Sequence, residues 1–262
     1  MNTQHVLDPV AAYDQGAAFF SQMSEHRRGY LRGVENLVVA RILPGSRSLL
    51  DVGSGDGLRA ARIAREVGLS EVVLLEPSRE MLGKVIGKAE IWPIRAEDLL
   101  LADSMPEGLP DRRFDVITCL WNVIGHIRDY DARVRVLARF GELLPENGKL
   151  FFDVNHRYNV KSYGLTRTSV RFFGDHISPR PTNGDVEVRW RLGDKTCRTR
   201  GHVFTDTEVR RMVSAAGLVI EERLVVDYDS GKVRRFACLG NLLYVLGCRN
   251  SSNDPASASQ TS

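Results

Sequence analysis

The stretch LLDVGSGDG, residues 49–57, decides how the rest of the chain is read. The run from Arg47 to Val52 has the apolar density of a short buried strand. Gly53, Gly55 and Gly57 follow on alternate positions, and Leu58 to Val67 then carries apolar residues at helical spacing with arginines on the outer face. Strand, glycine turn and helix make the first half of a βαβ unit. Glycine suits such a turn because the backbone bends sharply and approaches a ligand closely. The helix N-terminus beyond it offers free N–H groups to an anionic group.

The dinucleotide pattern G-x-G-x-x-G would place Gly or Ala where Leu58 stands. An acid, Asp51, lies at the strand end instead; its carboxylate would repel a pyrophosphate and suit a ligand with a cationic amino group. Glu76, in VVLLEPS, stands near the spacing of about 20 residues expected of a ribose-binding acid. Two acids around a glycine turn in this way resemble the class I S-adenosylmethionine-dependent methyltransferases of small-molecule type. The resemblance runs over about residues 10–248. It implies that Asp51, Gly53, Ser54 and Gly55 hold the amino-acid end of S-adenosylmethionine and that Glu76 holds both ribose hydroxyls. The implied fold is a Rossmann-like, doubly wound α/β sheet of seven strands, mostly parallel with one antiparallel strand. An N-terminal helical lid (1–44), a methyltransferase domain (45–250) with a small antiparallel insertion at about 156–204, and a disordered tail (251–262) complete the expected organisation.

Composition narrows the classes. The chain has 262 residues, 43% apolar, enough for a sizeable core. A net charge of +3 is too small to argue for nucleic acid. The polar Met1–Val10 segment lacks the apolar core of a signal peptide, and no apolar run reaches membrane-spanning length. Cys119, Cys197, Cys238 and Cys248 are scattered, with no C-x-x-C pair and no accompanying histidine cluster, so no metal site is expected. A cytoplasmic setting and a monomer or homodimer are the expectations.

Along the chain, residues 9–43 read as helical and end at Pro44-Gly45. The resemblance implies a lid here, with Tyr13 over the cofactor; packing on the body is the alternative. Glu71–Glu76 reads as the second strand, and the resemblance sets Pro77 and Met81 against adenine, Met81 as plain core being the alternative. Ile91–Ile94 reads as the third strand. The resemblance then brings Ala96 to the adenine edge with Glu97 or Asp98 accepting from its amine; a helix N-cap by either acid competes. Phe114–Leu120 reads as the fourth strand, and Leu120 and Asn122 beyond it are implied cofactor contacts. Asp131–Leu144 is amphipathic, the turn Pro145–Gly148 follows, and Lys149–Val154 reads as the fifth strand. Residues 160–183 hold few regular signals. Residues 185–192 alternate with period two and pair with 195–204 as a hairpin. Thr205-Asp206-Thr207-Glu208 has the spacing of a capping box. Leu218–Tyr228 and Leu242–Cys248 are the last strands.

Methyl transfer from a sulfonium is an in-line displacement, so the protein mainly aligns two reactants, and orientation alone can lower the barrier by roughly 7–11 kcal/mol. A base is needed only where the nucleophile must lose a proton. His126, His156 and Tyr158 are the candidates for proton removal or substrate hydrogen bonding. Asn155, Arg157 and Asn159, in a run dense in polar side chains beyond the fifth strand, and Phe173 are candidates for the acceptor. Sequences that mark nitrogen methylation on nucleic acids are missing after the fourth strand, which leaves a small molecule with a nitrogen or oxygen nucleophile as the expected acceptor. Two other readings are a nicotinamide-dependent oxidoreductase, opposed by Asp51 and Leu58, and an RNA-binding module built on the hairpin arginines Arg189, Arg191, Arg198 and Arg200. A solvated strand face, whose alternation simply exposes charge, is the favoured reading of those arginines.

Overall fold

The computed structural model describes residues 6–101, 103, 109, 112–192 and 195–249; the expected tail 251–262 lies outside them. Three helices come first, α1 (Pro9–Gly16), α2 (Phe20–Glu25) and α3 (Arg28–Val39). Asp8 caps α1 by accepting from the Val10 amide, and Pro9 takes the first helical position, where a missing N–H is harmless. Helix α3 stops at Val39, five residues short of Pro44.

Next come β1 (Ser48–Val52), α4 (Leu58–Val67), β2 (Glu71–Leu75), α5 (Arg79–Leu82), β3 (Glu90–Trp92), β4 (Val116–Cys119), α6 (Tyr130–Glu142) and β5 (Lys149–Val154). These five strands are mutually parallel. All of β1 is buried, as expected of a strand covered on both faces. Two cores lie on the two sides of the sheet. Leu49, Leu74 and Phe151 pack with Val34 and Val38 of α3 and Ile63 of α4. Leu50, Ile117 and Phe152 pack on the other side with Phe140 of α6 and Met212 of a later helix.

The segment 160–183, read as irregular, contains two helices, α7 (Val160–Tyr163) and α8 (Leu165–Ile177). In α8 only Thr168 is buried, so no apolar stripe facing the core marks it in the sequence. The expected hairpin forms as β6 (Asp185–Leu192) and β7 (Lys195–His202) and makes a sheet of its own. Leu7 joins it by a parallel bridge to Thr199, its amide donating to Arg198 O at 2.8 Å. Then follow α9 (Asp206–Ala215), β8 (Leu218–Val226), β9 (Val233–Arg234) and β10 (Asn241–Cys248).

The large sheet runs β3-β2-β1-β4-β5-β10-β8-β9. Strand β10 is antiparallel to both its neighbours, and the two-residue β9 adds an eighth strand to the seven expected. The chain moves outward from β1 to β3 and then returns to place β4 beside β1, which puts the switch point of the sheet between β1 and β4. A ligand crevice opens beyond the carboxyl ends of strands at such a point.

Helix α3 lies close on the turn between β8 and β9. A methyl group on Gly29 would overlap the Asp229 carbonyl, and one on Gly33 the Gly231 carbonyl. Among the described residues, no helix is long and apolar enough to cross a membrane.

Candidate active site

The turn after β1 is built as its glycines require: Gly53, Gly55 and Gly57 have φ of +64°, +60° and +73°. The Gly53 amide donates to Leu75 O at 2.8 Å, which ties the turn to the end of β2. There Glu76 accepts from the Gly55 amide at 2.9 Å and the Ser78 amide at 2.8 Å. Its carboxylate is 7% exposed, and burial raises its pKa although both amides favour the anion. Ser78 in turn accepts from the Met81 amide at 3.2 Å, capping α5, and donates its hydroxyl to Asp14 of α1 at 2.6 Å.

A cavity of about 520 Å³ lies over this turn. Of the residues singled out in the sequence, Tyr13, Gly53, Ser54, Gly55, Glu76, Pro77, Ala96, Glu97 and His126 line it together. Burial, and secondly the charge of Glu76, push the Tyr13 phenol well up. Burial raises the Glu97 carboxyl as well. The other expected cofactor contacts are placed elsewhere. Met81 and Leu120 are in the core, 1% and 0% exposed. Asp98 accepts from the Arg95 amide at 2.8 Å and so caps its own short helix, which leaves Glu97 as the acid of that pair on the cavity wall. Asn122 points its amide to His202 O at 3.1 Å and accepts from the Asn155 amide at 3.0 Å.

Asp51 is fully buried, and its cationic partner is part of the chain. Arg59 donates to Asp51 Oδ1 at 2.7 Å, and Thr118 donates to the same oxygen at 2.6 Å. The sequence put the arginines of α4 on the outer face. Arg59 instead folds back under the turn and lines the cavity, and Arg62 pairs inward with Glu35 of α3. Sequence reasoning missed these, along with Phe20 on the wall, where Trp121 and Val123 of the stretch leading to His126 also stand. The signal for Arg59 was its position eight residues after a buried acid that needed a partner, across the glycine turn.

Three buried polar atoms around this turn lack hydrogen-bond partners: Asp51 Oδ2, Ser54 Oγ and Arg59 Nε. Buried polar groups are almost always paired, so such a cluster marks where a polar ligand belongs. An amino acid carried on a nucleoside fits this donor set. Ser54 and Arg59 offer donors to a carboxylate, and Glu76 retains lone pairs for two hydroxyls.

The wall opposite the turn is held by Asp153 at the end of β5. It is 1% exposed and accepts from the Tyr30 hydroxyl, the Trp121 amide and, at 3.1 Å, the Asn122 amide. Trp121 and Asn122 both have left-handed backbones, φ +71° and +59°, a conformation that costs a non-glycine residue about 1–3 kcal/mol. Just beyond, His126 Nδ1 lies 3.2 Å from the Arg200 carbonyl of β7. A carbonyl only accepts, so Nδ1 carries the proton and Nε2 is the basic nitrogen. Burial lowers the His126 pKa, favouring that neutral form, and Tyr13 packs edge-on against the ring at 5.8 Å.

The remaining candidates do not reach this cavity. His156 and Tyr158, with Phe173, line a separate one. His156 Nδ1 lies 2.9 Å from Ala237 O, and burial depresses its pKa to about 4. Arg157 donates to Asp175 at 3.0 Å and to Glu208 at 2.8 Å. Asn159 caps α7 and donates to Asn241 at 3.1 Å, and Asn155 Oδ1 accepts from the Asn241 side-chain amide at 2.9 Å. Thr205 does cap α9, accepting from the Glu208 amide at 3.1 Å, but the Glu208 side chain turns to Arg157 and His202. On the hairpin, Glu187 pairs with Arg189 and Arg198.

Comparison with known proteins supplies the family. A family model described as a methyltransferase domain matches residues 23–223. A putative methyltransferase of Geobacillus sp. (strain WCH70) is 31% identical over 116 residues, 44% of this chain and 45% of its own. A glycine/sarcosine N-methyltransferase of Parasynechococcus marenigrum is 32% identical over 114 residues, 42% of this chain and 38% of its own. The match thus spans less than half the length of these two relatives. A crystal structure of an S-adenosylmethionine-dependent methyltransferase from Clostridium acetobutylicum superposes with a TM-score of 0.59 at 14% identity, covering 89% of this chain and 99% of that one. The chain belongs to the methyltransferase domain family and has the fold of the class I S-adenosylmethionine-dependent enzymes. S-adenosylmethionine is the cofactor that family and fold call for.

Proposed function

We propose that the chain transfers a methyl group from S-adenosylmethionine to a nitrogen or oxygen of a small-molecule acceptor, within the cavity over the glycine turn. The observation that carries this reading is the convergence of Glu76, the Gly53–Gly55 backbone and His126 on one cavity of about 520 Å³. Glu76 would take the ribose hydroxyls. Pro77, Ala96 and Glu97 would flank the adenine, and Ser54 and Arg59 the carboxylate. The cofactor, when bound, supplies a methyl group on a sulfonium, already activated. What the protein adds is alignment and the exclusion of water.

The N-terminal segment, through its described residues 6–44, acts as a lid over the domain that follows, with the insertion at about 156–204 beside it. Two links support that role. Asp8 pairs with Arg95 at 2.6 Å, and Asp14 accepts from Ser78. A cavity of this size accommodates about one drug-sized ligand, so cofactor and acceptor together leave room only for a small acceptor.

His126 is the proposed general base. Its Nε2 accepts the proton that a hydroxyl or ammonium acceptor must release, while the Arg200 carbonyl holds the ring in the required tautomer. Tyr13 and Trp121 line the acceptor side. The name of the Parasynechococcus relative favours an amine.

The test is transfer of isotopic methyl from S-adenosylmethionine to panels of small amines and small alcohols or phenols. Turnover with members of either panel, lost in Glu76→Ala and reduced about 10²–10⁴-fold in kcat by His126→Ala, is expected. Cofactor binding with transfer only to RNA or protein would overturn the acceptor class.

A further inference from the structure

The second cavity, about 540 Å³, shares no lining residue with the first. It lies between α8, the loop that follows β5, the start of α9 and the segment at Ala237 and Cys238. Four rings line it, those of His156, Tyr158, Phe172 and Phe173. Tyr158 meets Phe172 edge-on at 5.5 Å, Phe172 meets Phe173 at 5.8 Å, and His156 meets Tyr158 at 5.7 Å. Phe172 and Phe173 remain 43% and 63% exposed. Large aromatic side chains held at the mouth of a cavity and left in water mark a surface that covers something apolar.

Two polar atoms on this wall point to what is covered. Thr168 is 6% exposed, and its hydroxyl has no hydrogen-bond partner. A buried hydroxyl without a partner costs about 1–3 kcal/mol, so a site that keeps one is completed by a group from outside or by water. His156 uses Nδ1 on the Ala237 carbonyl, so that nitrogen carries the proton and Nε2 is left as an acceptor. Its depressed pKa, about 4, keeps the ring neutral at ordinary pH. Asp206 also borders the cavity and is an acceptor, already engaged by Tyr244 and Arg210. The site therefore offers aromatic walls, the unpaired Thr168 hydroxyl beside those of Ser169, Thr205 and Thr207, and a neutral acceptor, with no Lys or Arg among its lining residues.

We infer that the cavity bounded by His156, Tyr158, Thr168, Phe172 and Phe173 is a second ligand site, built for a planar aromatic molecule carrying a hydroxyl or amino donor. The ring stacks among Tyr158, Phe172 and Phe173. The donor reaches His156 Nε2, and its heteroatom accepts from Thr168. An anionic ligand meets no Lys or Arg there, and a purely aliphatic one leaves Thr168 unpaired. The inference is independent of the methyl-acceptor proposal, because the cofactor cavity contributes none of these groups.

The probe is 2-naphthol, with naphthalene as the ligand lacking the donor, followed by fluorescence and by saturation-transfer NMR on the full chain. Saturable one-to-one binding of 2-naphthol is expected, unchanged by excess S-adenosylhomocysteine and by Glu76→Ala. Thr168→Val, nearly isosteric, should weaken it about three- to tenfold, and naphthalene should bind correspondingly less well. Phe173→Ser, at an exposed position that leaves folding intact, should weaken it further. Binding that is non-saturable, equal in Thr168→Val and Phe173→Ser, or displaced by S-adenosylhomocysteine would overturn the inference. Survival of the naphthol site with no methyl transfer to any acceptor would leave this inference standing and remove the acceptor proposal.

Discussion

The Glu76 carboxylate accepts a hydrogen bond from the Gly55 amide across 2.9 Å, so the acid after β2 and the turn after β1 form one rigid unit. The same carboxylate takes the Ser78 amide, and Ser78 reaches Asp14 in the N-terminal helices. The acid proposed for the ribose is thus fixed by the backbone before any ligand arrives, and one residue links it to the segment that covers the cavity.

Asp153 should be a large contributor to stability. Asp153→Ala leaves the Tyr30 hydroxyl and the Trp121 and Asn122 amides without their acceptor, and it removes the bonds that hold two left-handed residues in place. Loss of about 3–5 kcal/mol of unfolding free energy is expected in urea titration. Asp153→Asn, which keeps an acceptor for the amides, should lose less than half of that. Equal losses for the two variants would contradict the role of the carboxylate oxygens.

The contact between α3 and the β8–β9 turn predicts sensitivity at glycines that bind nothing. Gly33→Ala places a methyl group on the Gly231 carbonyl and must shift a helix or a turn. A cost of about 1–3 kcal/mol in thermal or denaturant unfolding is expected, despite the better helix propensity of alanine. A neutral or stabilising effect would mean that α3 sits farther from the turn.

His156 predicts acid sensitivity. Its folded pKa is about 4, against about 6.5 in the unfolded chain. Between these values the unfolded state binds more protons, so stability rises with pH; it is complete above about pH 6.5 and is lost as pH falls toward 4. At pH 5 the loss from this residue alone is about 2 kcal/mol. His156→Gln should flatten that part of the profile, measured as the difference in urea midpoints between pH 5 and pH 7.5.

For His126 the sign is read in the rate. Burial lowers its pKa below the usual imidazole value, and the base must be neutral. Activity should therefore rise with pH, with its midpoint below about 6.5, and level off above it. A midpoint above 7, or a profile unchanged in His126→Ala, would exclude His126 as the base.

Much of this was legible in the sequence, for physical reasons visible at particular residues. Strand β5 appears with its expected ends, because a turn rich in Pro, Asn and Gly feeds a largely apolar run that is buried from Leu150 to Val154. Glu76 and the glycines are local in sequence, so their meeting could be anticipated from the βαβ unit. Helix α8 was not legible, because its apolar residues face outward. Arg157 looked like a ligand contact since its partners Asp175 and Glu208 lie 18 and 51 residues away. Arg59 looked exposed because helical spacing says nothing of a buried acid eight residues earlier. Local pattern shows which groups are polar; only the fold shows which are already paired.

The most direct test is a crystal structure of the chain with S-adenosylhomocysteine. The account predicts both ribose hydroxyls within hydrogen-bond distance of Glu76, the homocysteine carboxylate over the Gly53–Gly55 turn beside Ser54 and Arg59, and the sulfur facing His126 and Tyr13. A nucleoside bound away from Glu76, or one that leaves Ser54 Oγ and Arg59 Nε without partners, would contradict it.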